Sequence, residues 1–538
     1  MFSCNGRNRS SRFAPTRKGA DFLLWWFMVM KDMTFMNKAS QITSLKEKWA
    51  TLNSKEMEKQ WNQICWKPIE KRVNKLQSRI TKAIIEGKKS LAKKLQYLLT
   101  NSFYAKLLAV RKVTSNKGKN TSGIDKRLWS TPISKLKGVL SLKSKGYKAS
   151  PLKRVYIEKK GKKKKRPLGI PTMYDRAMQA LYAMALDPIA EATADKASFG
   201  FRKKRCIQDA AAHIFIYLRI KNGAQWILEG DIKGCFDNIS HQWMLDNIQM
   251  DKRMLKQFLK AGFVYQKKLF PTEDGTPQGG IVSPILANMT LDGIERKIKE
   301  RYWTNKKGTI NRNYNNHKVH YTRYADDFIV TADSREILIE IKQMIIEHLT
   351  RRGLMLSKEK TLITNIDEGF DFLGWNFRKY KGIFLSKPSK ASLKNISDKV
   401  RDIIKSNRTA KQEKLIRKLN PIITGWCNNH RSVAATDSYS KLDRTLFISL
   451  WNWSKRRHPN KNARWIKERY WKKEKNRAWI FSDGRISLKF ATSTKIFRHP
   501  LIKFDANPYL DTHKEYYLTR ERQRKKWKLK IAASVTTG

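Results

Sequence analysis

The chain has 538 residues and is strongly basic, with 113 Lys and Arg against 46 Asp and Glu and a formal net charge of +67. Such a surface repels itself unless a polyanion covers it, so nucleic acid is the leading partner. An anionic membrane is the alternative, but the basic residues run through the whole chain and do not form one juxtamembrane cluster. The hydrophobic content of 40% suits a globular protein of two to four domains.

The spacing of the cysteines bears on two further classes of protein. None of the five lies within four residues of another, which excludes a CxxC zinc pair and argues against a disulfide framework. A reducing compartment is therefore expected. Aromatic residues make up 11% of the chain and interleave with the basic ones, as proteins that bind single strands require. The cysteines are Cys4, Cys65, Cys206, Cys235 and Cys427.

The N-terminal 40 residues do not fit the pattern of the rest of the chain. The apolar stretch 22–30 has nine residues, which is too short to cross a bilayer. Basic residues precede it, so residues 1–40 resemble a signal or organelle-transit segment. The alternative is upstream reading frame, with the true start at a later methionine. The candidate starts are Met28, Met30, Met33 and Met36.

A basic helix is predicted over residues 68–86, with Pro68 at its first position and Gly87 at its end. One face is apolar, and the other carries charges of almost one sign, which favours RNA over an ordinary solvated face. The RNA-contacting candidates on that face are Lys71, Arg72, Lys75 and Arg79. A second helix is predicted over 90–110 and a loop over 114–123.

The stretch KKGKKKKR at 159–166 has seven basic residues in eight. Gly161 predicts a hairpin turn between the strands VYI and PLGIP, and a tight basic hairpin is suited to holding phosphates. A nuclear-localisation run would look similar, but the flanking strands favour a structural role.

The remaining elements alternate between helices and short strands. The sequence predicts an apolar helix over 174–195 and a buried strand over 224–228. Ser283 is predicted to cap a helix with Pro284 at its first position, after a Gly- and Pro-rich loop over 273–284. Further predictions are a hairpin over 319–332, a helix over 334–352, a strand over 370–375 and basic helices from 390 onward.

Two adjacent acids, Asp326 and Asp327, interrupt a strand-forming run, YTRYADDFIV at 321–330. Burying unpaired charges is expensive, but a hairpin turn would lift both acids to a tip where a metal ion could neutralise them. The alternative is an exposed turn between ordinary strands. Asp231 follows another strand, 326 − 231 = 95 residues earlier, and could meet them across adjacent strands.

This set of acids suits two divalent ions. Held roughly 3.5–4 Å apart, such ions would activate a 3′-hydroxyl and stabilise the leaving pyrophosphate. Mg²⁺ uses few protein carboxylates together with substrate phosphates, which fits two or three Asp without His or Cys.

These residues resemble the motifs of reverse transcriptases, in the same order. YADD at 324–327 resembles the catalytic hairpin, and DIKGCFDNI at 231–239 resembles the motif of the first aspartate. GTPQGGIVSPILANMTLD at 275–292 resembles the nucleotide-pocket motif. Two further motifs complete the series: RPLGIPTMYDRAMQAL at 166–181, and LSKEKTLI with EGFDFLGW within 356–375.

The C-terminal part resembles the maturase region of group II intron-encoded proteins, in LNPIITGWCNNHRSV at 419–433 and LWNWSKRRHPNKNARWIKERYW at 450–471. The resemblance covers residues 60–530 approximately. Asn365 stands where many relatives carry His, a departure to which we attach little weight.

The resemblance implies a role for each motif residue. Asp231 and Asp326 would be the principal metal ligands, with Asp327 as the accessory carboxylate and the carbonyl of Ile232 as a further ligand. Phe236 would exclude a ribose 2′-hydroxyl, although it could be a core residue only. Gln278 and Gly279 would line the incoming nucleotide, and Arg166 with Lys159 or Lys160 would hold its triphosphate. Lys360 would donate a proton to pyrophosphate. For Lys360 a surface ion pair with Glu359 or a neighbouring acid is the stronger alternative.

The maturase region would act by binding intron RNA, because splicing chemistry belongs to the RNA. Its binding would stabilise the folded intron by mass action. For each candidate contact, packing inside the thumb is the alternative. The candidates are Trp426, His430, Arg431, Arg456, Arg457, Arg464 and Trp465.

The sequence therefore predicts an α+β right-hand polymerase followed by an all-helical thumb and maturase domain. Fingers and palm are assigned to 60–385, thumb and maturase (domain X) to 386–480, and a basic segment, a remnant DNA-binding region, to 481–538. The expected function is RNA-directed DNA synthesis with two Mg²⁺ ions, dNTPs and a DNA primer on an RNA template, together with intron splicing. The alternatives are a maturase with a vestigial polymerase, and an RNA-dependent RNA polymerase, which Phe236 disfavours.

Mobility into a DNA target is expected to proceed without a nuclease of this chain. Many relatives of this kind continue into a metal-dependent (HNH) nuclease with paired cysteines, whereas Cys427 is the last cysteine here. The expected location is an organelle (plastid or mitochondrion) or the bacterial cytoplasm, with no secretion and no membrane partner.

Overall fold

The computed structural model describes Trp49 and residues 51–158, 165–474 and 477–524, so the leader-like residues 1–40 lie outside the described residues. Five helices open the fold, and the second corresponds to the predicted basic helix. It begins at Trp66, so that Pro68 is the third helical residue and not the first. The predicted helix 90–110 is two helices, because the backbone at Ser102 is extended (φ −64°, ψ 126°). The helices are α1 (Ser54–Asn62), α2 (Trp66–Ile85), α3 (Lys89–Asn101), α4 (Phe103–Ser115) and α5 (Pro132–Ser141).

The basic hairpin belongs to a four-stranded sheet with the order β2-β1-β4-β5. β1 and β2 pair antiparallel, with Tyr156 opposite Pro167, which is the pairing that the hairpin prediction requires. The turn itself, with Gly161, Lys159 and Lys160, lies outside the described residues. The strands are β1 (Leu152–Ile157), β2 (Arg166–Ile170), β4 (Phe263–Tyr265) and β5 (Lys268–Phe270).

Eight α-helices lie between Met173 and Thr350, a range that the structure describes throughout. The predicted apolar helix 174–195 is α6, which is buried along most of its length. Ser283 does not cap the helix that it opens: Val282 is the N-cap residue, without a side-chain hydrogen bond, and Pro284 lies at the second position. The helices are α6 (Met173–Thr193), α7 (Ile207–Leu218), α8 (Cys235–Asn238), α9 (His241–Asn247), α10 (Lys252–Leu259), α11 (Ser283–Leu291), α12 (Ile294–Tyr302) and α13 (Arg335–Thr350).

A second four-stranded sheet, antiparallel and with the order β6-β7-β3-β8, forms the palm. Its strands alternate between two hydrophobic cores. Leu228 and Phe328 face the core of the fingers and palm helices, whereas Ile227 and Ile329 face the core shared with the thumb. Burial on both faces explains why the strand sequences are almost continuously apolar. The strands are β3 (Trp226–Asp231), β6 (His320–Tyr324), β7 (Asp327–Ala332) and β8 (Leu362–Asn365).

A three-stranded sheet leads from the palm to the thumb. The predicted strand 370–375 is in fact a strand, a turn at Leu373 and Gly374, and the start of the next strand, which pairs back with Trp375 opposite Phe372. Both turn residues have positive φ, which breaks the strand. The strands are β9 (Phe370–Phe372), β10 (Trp375–Tyr380) and β11 (Ile383–Pro388).

The thumb and maturase region is helical, as expected, and ends in a two-stranded sheet that the sequence did not predict. Helix α16 is its longest element, and its buried residues Leu442, Leu446 and Leu450 recur every fourth position. The elements are α14 (Lys390–Ser406), α15 (Gln412–His430), α16 (Thr436–Arg457), α17 (Ala463–Tyr470), β12 (Trp471–Glu474) and β13 (Arg477–Phe481).

The described part of the C-terminal segment packs on the palm. Ile502 and Tyr517 form a small core with Phe199. The buried carboxylate of Asp209 on α7 accepts hydrogen bonds from His499, at 2.8 Å, and from Arg520. The described part of this segment therefore makes contacts within the molecule. Its most basic end lies outside the described residues.

Cys206 lies beside the same carboxylate, with its Sγ 3.2 Å from Asp209 Oδ2. Cys206, Asp209 and His499 are close enough together to hold a metal ion. However, Arg520 contacts both Asp209 and His499. Its guanidinium supplies the positive charge that an ion would bring, so the cluster is an ion-paired contact between the palm and the C-terminal segment.

Within the described residues, no helix is both long and apolar enough to cross a membrane.

Candidate active site

Three carboxylates meet at one end of the two central strands of the palm sheet. Asp231 is the last residue of β3 and Asp327 is the first residue of β7, and the two are direct cross-strand partners. Asp326 directly precedes Asp327, in the two-residue turn that joins β6 to β7. The sequence prediction that a strand-borne acid meets a hairpin-borne pair therefore agrees with the backbone geometry.

A buried arginine supports the turn that carries Asp326. Ala325, its first residue, has a positive φ of 59°, which is unfavourable for a residue with a side chain. The fully buried Arg323 donates a hydrogen bond to the Ala325 carbonyl at 3.3 Å and forms an ion pair with Asp292. A second hydrogen bond, 3.2 Å long, joins Arg323 to Asn288 on α11. The turn is thereby tied to the nucleotide-pocket motif.

Burial and mutual repulsion perturb the acids. Burial is the largest cause that raises the pKa of Asp327 to about 7, followed by the charges of Asp326 and Asp231. Burial also raises the pKa of Asp326, and the charge of Asp231 adds to it, while Lys360 and Arg166 oppose the rise. Three carboxylates in this arrangement form a site for positive charge.

Lys360 supplies part of that charge. Its Nζ lies 2.5 Å from Asp231 Oδ2, and this hydrogen bond is the main reason why the pKa of Lys360 is raised. The acid that it pairs with is therefore Asp231, not the neighbouring Glu359. Cys235 lies beneath the acids, and burial raises the pKa of its thiol to about 12, so it is a neutral group there.

The nucleotide-pocket loop lies between the palm and the basic hairpin. The backbone carbonyl of Gln278 accepts a hydrogen bond from Gly169 of β2 at 2.8 Å, and its side chain donates to Asp237 on α8 at 3.1 Å. Gly279 has a φ of +115°, and a Cβ there would lie 2.8 Å from the Gly169 carbonyl oxygen, so glycine is required. The loop is thus fixed at both sides.

Phe236 faces this loop from α8. It is half-buried, and its ring makes an edge contact with Phe201 at 6.2 Å between centroids. Its backbone carbonyl accepts a hydrogen bond from Thr276 at 2.6 Å. The exposed Arg166 begins β2, and the carbonyl of Asp231, just before Ile232, is bonded to Ser357 N at 2.8 Å. All predicted site residues that are described, apart from the RNA contacts, therefore surround one region.

The predicted RNA contacts divide into exposed and internal residues. The α2 face is exposed, although Arg72 also donates to Tyr104 at 2.5 Å. Trp426 is half-buried and donates to Ser392 at 3.1 Å. Trp465 is half-buried against His458. The exposed members of the predicted set are Lys71, Arg72, Lys75, Arg79, Arg456 and Arg464.

His430 and Arg431 are corrections to the sequence prediction, because both are buried. His430 is 1% exposed and lies 3.0 Å from the Ser392 hydroxyl, and Arg431 is 5% exposed and donates to the Lys495 carbonyl at 3.3 Å. Arg457 is also committed internally, with hydrogen bonds to the carbonyls of Arg408 and Ala410. In the structure these three residues pack within the thumb, which was the alternative to RNA contact.

The sequence interpretation missed the group behind the turn: Arg323, Asp292 and Asn288. A signal was present, since an arginine within an apolar strand needs a buried partner as much as an aspartate does. Asp292 ends the nucleotide-pocket motif, but its distance in sequence from Arg323 gave no indication that the two would pair.

An antiparallel palm sheet that brings three aspartates to one end of its central strands, with a glutamine loop and a phenylalanine nearby, defines the polymerase palm of a reverse transcriptase. Comparison with protein families agrees. Residues 157–377 match the family described as reverse transcriptase (RNA-dependent DNA polymerase), and residues 61–142 match the N-terminal domain of reverse transcriptase. Residues 393–471 match the group II intron, maturase-specific domain.

Individual relatives give the same assignment. The group II intron-encoded protein LtrA of Lactococcus lactis subsp. cremoris is 31% identical over 59% of this chain and 64% of its own length. Protein YkfC of Escherichia coli is 31% identical over 49% of this chain and 78% of its own. Maturase-like protein 1 of Euglena gracilis is 26% identical over 72% of this chain and 80% of its own. The chain belongs to the group II intron-encoded reverse transcriptases and carries their maturase domain, although it spans slightly less than two thirds of LtrA.

Proposed function

We propose that this chain is an RNA-directed DNA polymerase and maturase that binds a group II intron RNA, assists its splicing and extends a DNA primer on an RNA template. The observation that carries the proposal is the meeting of Asp231, Asp326 and Asp327 at one end of the central palm strands, with Lys360 beside Asp231. A vestigial polymerase would not need to retain this arrangement of charges.

The acids fit two Mg²⁺ ions. The available donors are carboxylate oxygens, which Mg²⁺ prefers, and the neighbouring Cys235 is held as a neutral thiol. Burial and repulsion, which raise the pKa values of Asp326 and Asp327, favour a bound cation. Asp231 and Asp326 would be the principal ligands, with Asp327 and the Ile232 carbonyl as further ones. When bound, the ions would stabilise charge on the transferred phosphoryl group and lower the pKa of the primer 3′-hydroxyl.

The chain's own residues would position the nucleotide. Arg166, with either Lys159 or Lys160, would hold the triphosphate by charge. Gln278 and Gly279 would form the floor of the pocket, and the Phe236 ring would fill the space of a 2′-hydroxyl and so select dNTPs. Lys360, which reaches Asp231, is the proposed donor of a proton to pyrophosphate. The RNA contacts outside the site would come from the exposed faces of α2 and of the thumb.

The expected compartment is the one in which such an intron is transcribed: a bacterial cytoplasm, a mitochondrion or a plastid. Relatives occur in bacteria and in Euglena, and one is named a putative intron 1 protein of yeast COX1/OXI3. A DNA target is a further expected partner, for intron mobility.

Primer extension tests the polymerase. The purified chain should extend a DNA primer on an RNA template with dNTPs and Mg²⁺, and Asp326→Asn should abolish the extension. Asp246→Asn is the matched control, because it removes the same charge from an exposed position on α9. A wild-type protein without activity would favour the vestigial alternative, and an active Asp326→Asn protein would remove the acid from its proposed role.

A further inference from the structure

An open cleft lies in the thumb between helices α14 and α16, and none of the three aspartates lines it. Its volume is about 750 Å³. Ile404 and Trp453 form its apolar base, and both are buried. Five cationic side chains stand around it: Arg401, Lys405, Arg408, Arg456 and Arg457.

Most of these charges are available to a ligand. Arg401 pairs with Asp398 at 3.1 Å, and Arg457 donates to carbonyls of the thumb. Lys405, Arg408 and Arg456 are exposed, and no carboxylate among the described residues lies within ion-pair distance of them. A concave surface with three uncompensated cations attracts a polyanion.

An exposed aromatic surface adjoins the cleft. Phe447 and Trp479 are each 41% exposed, although aromatic side chains of this size are usually covered. Their ring centroids are 5.9 Å apart, and Trp451 lies within 6.3 Å of Phe447. Lys467 stands 4.8 Å above the Trp479 ring. This group of Phe447, Trp451 and Trp479 is called the aromatic patch below.

Helix α16 joins the two features. With 3.6 residues per turn, Phe447 and Trp451 form one row along the helix, and Ile448, Asn452 and Arg456 form the next row. The first row belongs to the aromatic patch, and the second lines the cleft. A strand that placed phosphates in the cleft would therefore have the aromatic patch beside its bases.

We propose that the cleft and the aromatic patch together bind a single-stranded segment of RNA, with its phosphates at Lys405, Arg408 and Arg456 and unpaired bases on Phe447 and Trp479. A cationic groove next to exposed aromatic rings is how proteins hold single strands, because every base offers a face for stacking. The bases of an A-form duplex are stacked on one another and cannot reach the rings. The inference deepens the RNA-binding role proposed above, on which it rests, by specifying the form of RNA.

The charges decide between RNA and a protein partner. An aromatic patch alone would suit either, but a protein docking here would bury three cations that have no internal acid partner, which is costly unless it supplied matching acids. The RNA backbone supplies a charge at every nucleotide.

Binding of labelled oligonucleotides by the full-length protein tests the proposal. The probes are a 12-nucleotide oligo(U) and a 12-base-pair RNA duplex, measured by fluorescence anisotropy. Trp479→Leu retains apolar packing and removes the ring, and should weaken oligo(U) binding by at least about fivefold, the lower end of the loss of one stacked base. Duplex binding should change by less than about twofold. Tyr97→Leu is the control, because Tyr97 is 68% exposed on α3, outside this surface.

The cations have a separate signature. In the double variant Arg408→Ala, Arg456→Ala, the slope of log K against log salt for oligo(U) should decrease by about 1.4, that is about 0.7 for each lost contact. Lys306→Ala, Lys307→Ala removes the same charge from an exposed loop and should leave the slope unchanged. Trp479→Leu should lower the affinity without changing the slope.

Three results would overturn the proposal. These are unchanged oligo(U) affinity in both Trp479→Leu and the second ring variant Phe447→Leu, equal losses for oligo(U) and duplex, and an unchanged salt slope in the arginine variant. The first result would leave the aromatic patch to a protein partner. Phe447→Leu replaces Trp479→Leu if the latter fails to fold, as judged by thermal unfolding. DNA synthesis by the wild-type protein is measured in the same preparation, so failure of this proposal and failure of the polymerase proposal are distinguishable.

Discussion

Arg323 gives the sharpest prediction, because it joins the turn that carries Asp326 to the nucleotide-pocket motif from a fully buried position. Its side chain is fully buried and pairs with Asp292, whose pKa is raised to about 7, with burial as the first cause. In Arg323→Met, Asp292 loses its cation inside the protein. Breaking a buried pair from one side costs about 3–5 kcal/mol, a large part of a stability of about 5–15 kcal/mol.

The same change should impair DNA synthesis. The carbonyl of Ala325 loses its hydrogen bond from Arg323, 3.3 Å long, and the turn is already held at a positive φ. A displacement of Asp326 by about 1 Å would lower the rate by about 10²-fold. Urea unfolding gives the change in stability, and single-nucleotide incorporation by the folded fraction gives the rate.

The double variant Arg323→Met, Asp292→Leu separates the two effects. Replacing both members of a buried pair by apolar residues is often neutral, so stability should return to within about 1–2 kcal/mol of wild type. The turn still lacks its hydrogen bond, and DNA synthesis should therefore remain low. If the double variant recovered full activity, Arg323 would serve stability alone. If Arg323→Met were as stable as wild type, the burial argument would be refuted.

Three further outcomes are expected. A Cβ on Gly230 would lie 2.1 Å from the Phe328 ring, so Gly230→Ala should lower stability by about 1–3 kcal/mol and reduce primer extension; normal extension would show that Asp231 tolerates the shift. Phe236→Ala should raise the rNTP to dNTP incorporation ratio by at least about tenfold, and an unchanged ratio would contradict its selective role. Burial lowers the pKa of His348 to about 3, whereas an unfolded histidine titrates near 6.5, so the unfolded chain gains a proton first as the pH falls. Between pH 7 and pH 5 this histidine should cost the wild-type protein about 2 kcal/mol of unfolding free energy, and His348→Leu should lack that part of the loss. Urea unfolding at both pH values measures it, and an equal loss in variant and wild type would contradict this.

The acids were predictable from the sequence because two constraints coincide in YADD. An apolar run identified the strand, and two adjacent carboxylates within it required a turn and a cation. That Asp231 would be the direct partner of Asp327 required the register of β3 against β7, which depends on tertiary packing and not on local spacing. Burial of the palm sheet on both faces likewise left its strands without the alternation that would have fixed their register.

The thumb was predicted less well at the level of residues. A basic or aromatic residue on a helix has the same local signature whether it faces RNA or a neighbouring helix. His430 and Arg431 lie at the end of α15, where packing against Ser392 and the chain at Lys495 covers them. Trp479 was not selected, because its exposure depends on a two-stranded sheet after α17 that the helical pattern did not indicate.

The central claim is that two separate parts of one chain carry the two functions. DNA synthesis depends on the three carboxylates, and intron binding depends on a separate basic surface. The most direct measurement compares wild type, Asp326→Asn and the control Asp246→Asn in two assays, primer extension on an RNA template and splicing of a group II intron RNA that the wild-type protein assists. Asp326→Asn should abolish extension and leave protein-assisted splicing within about twofold of wild type, since mass action on the folded RNA does not involve the carboxylates. Loss of splicing to the same degree as loss of extension would contradict the claim.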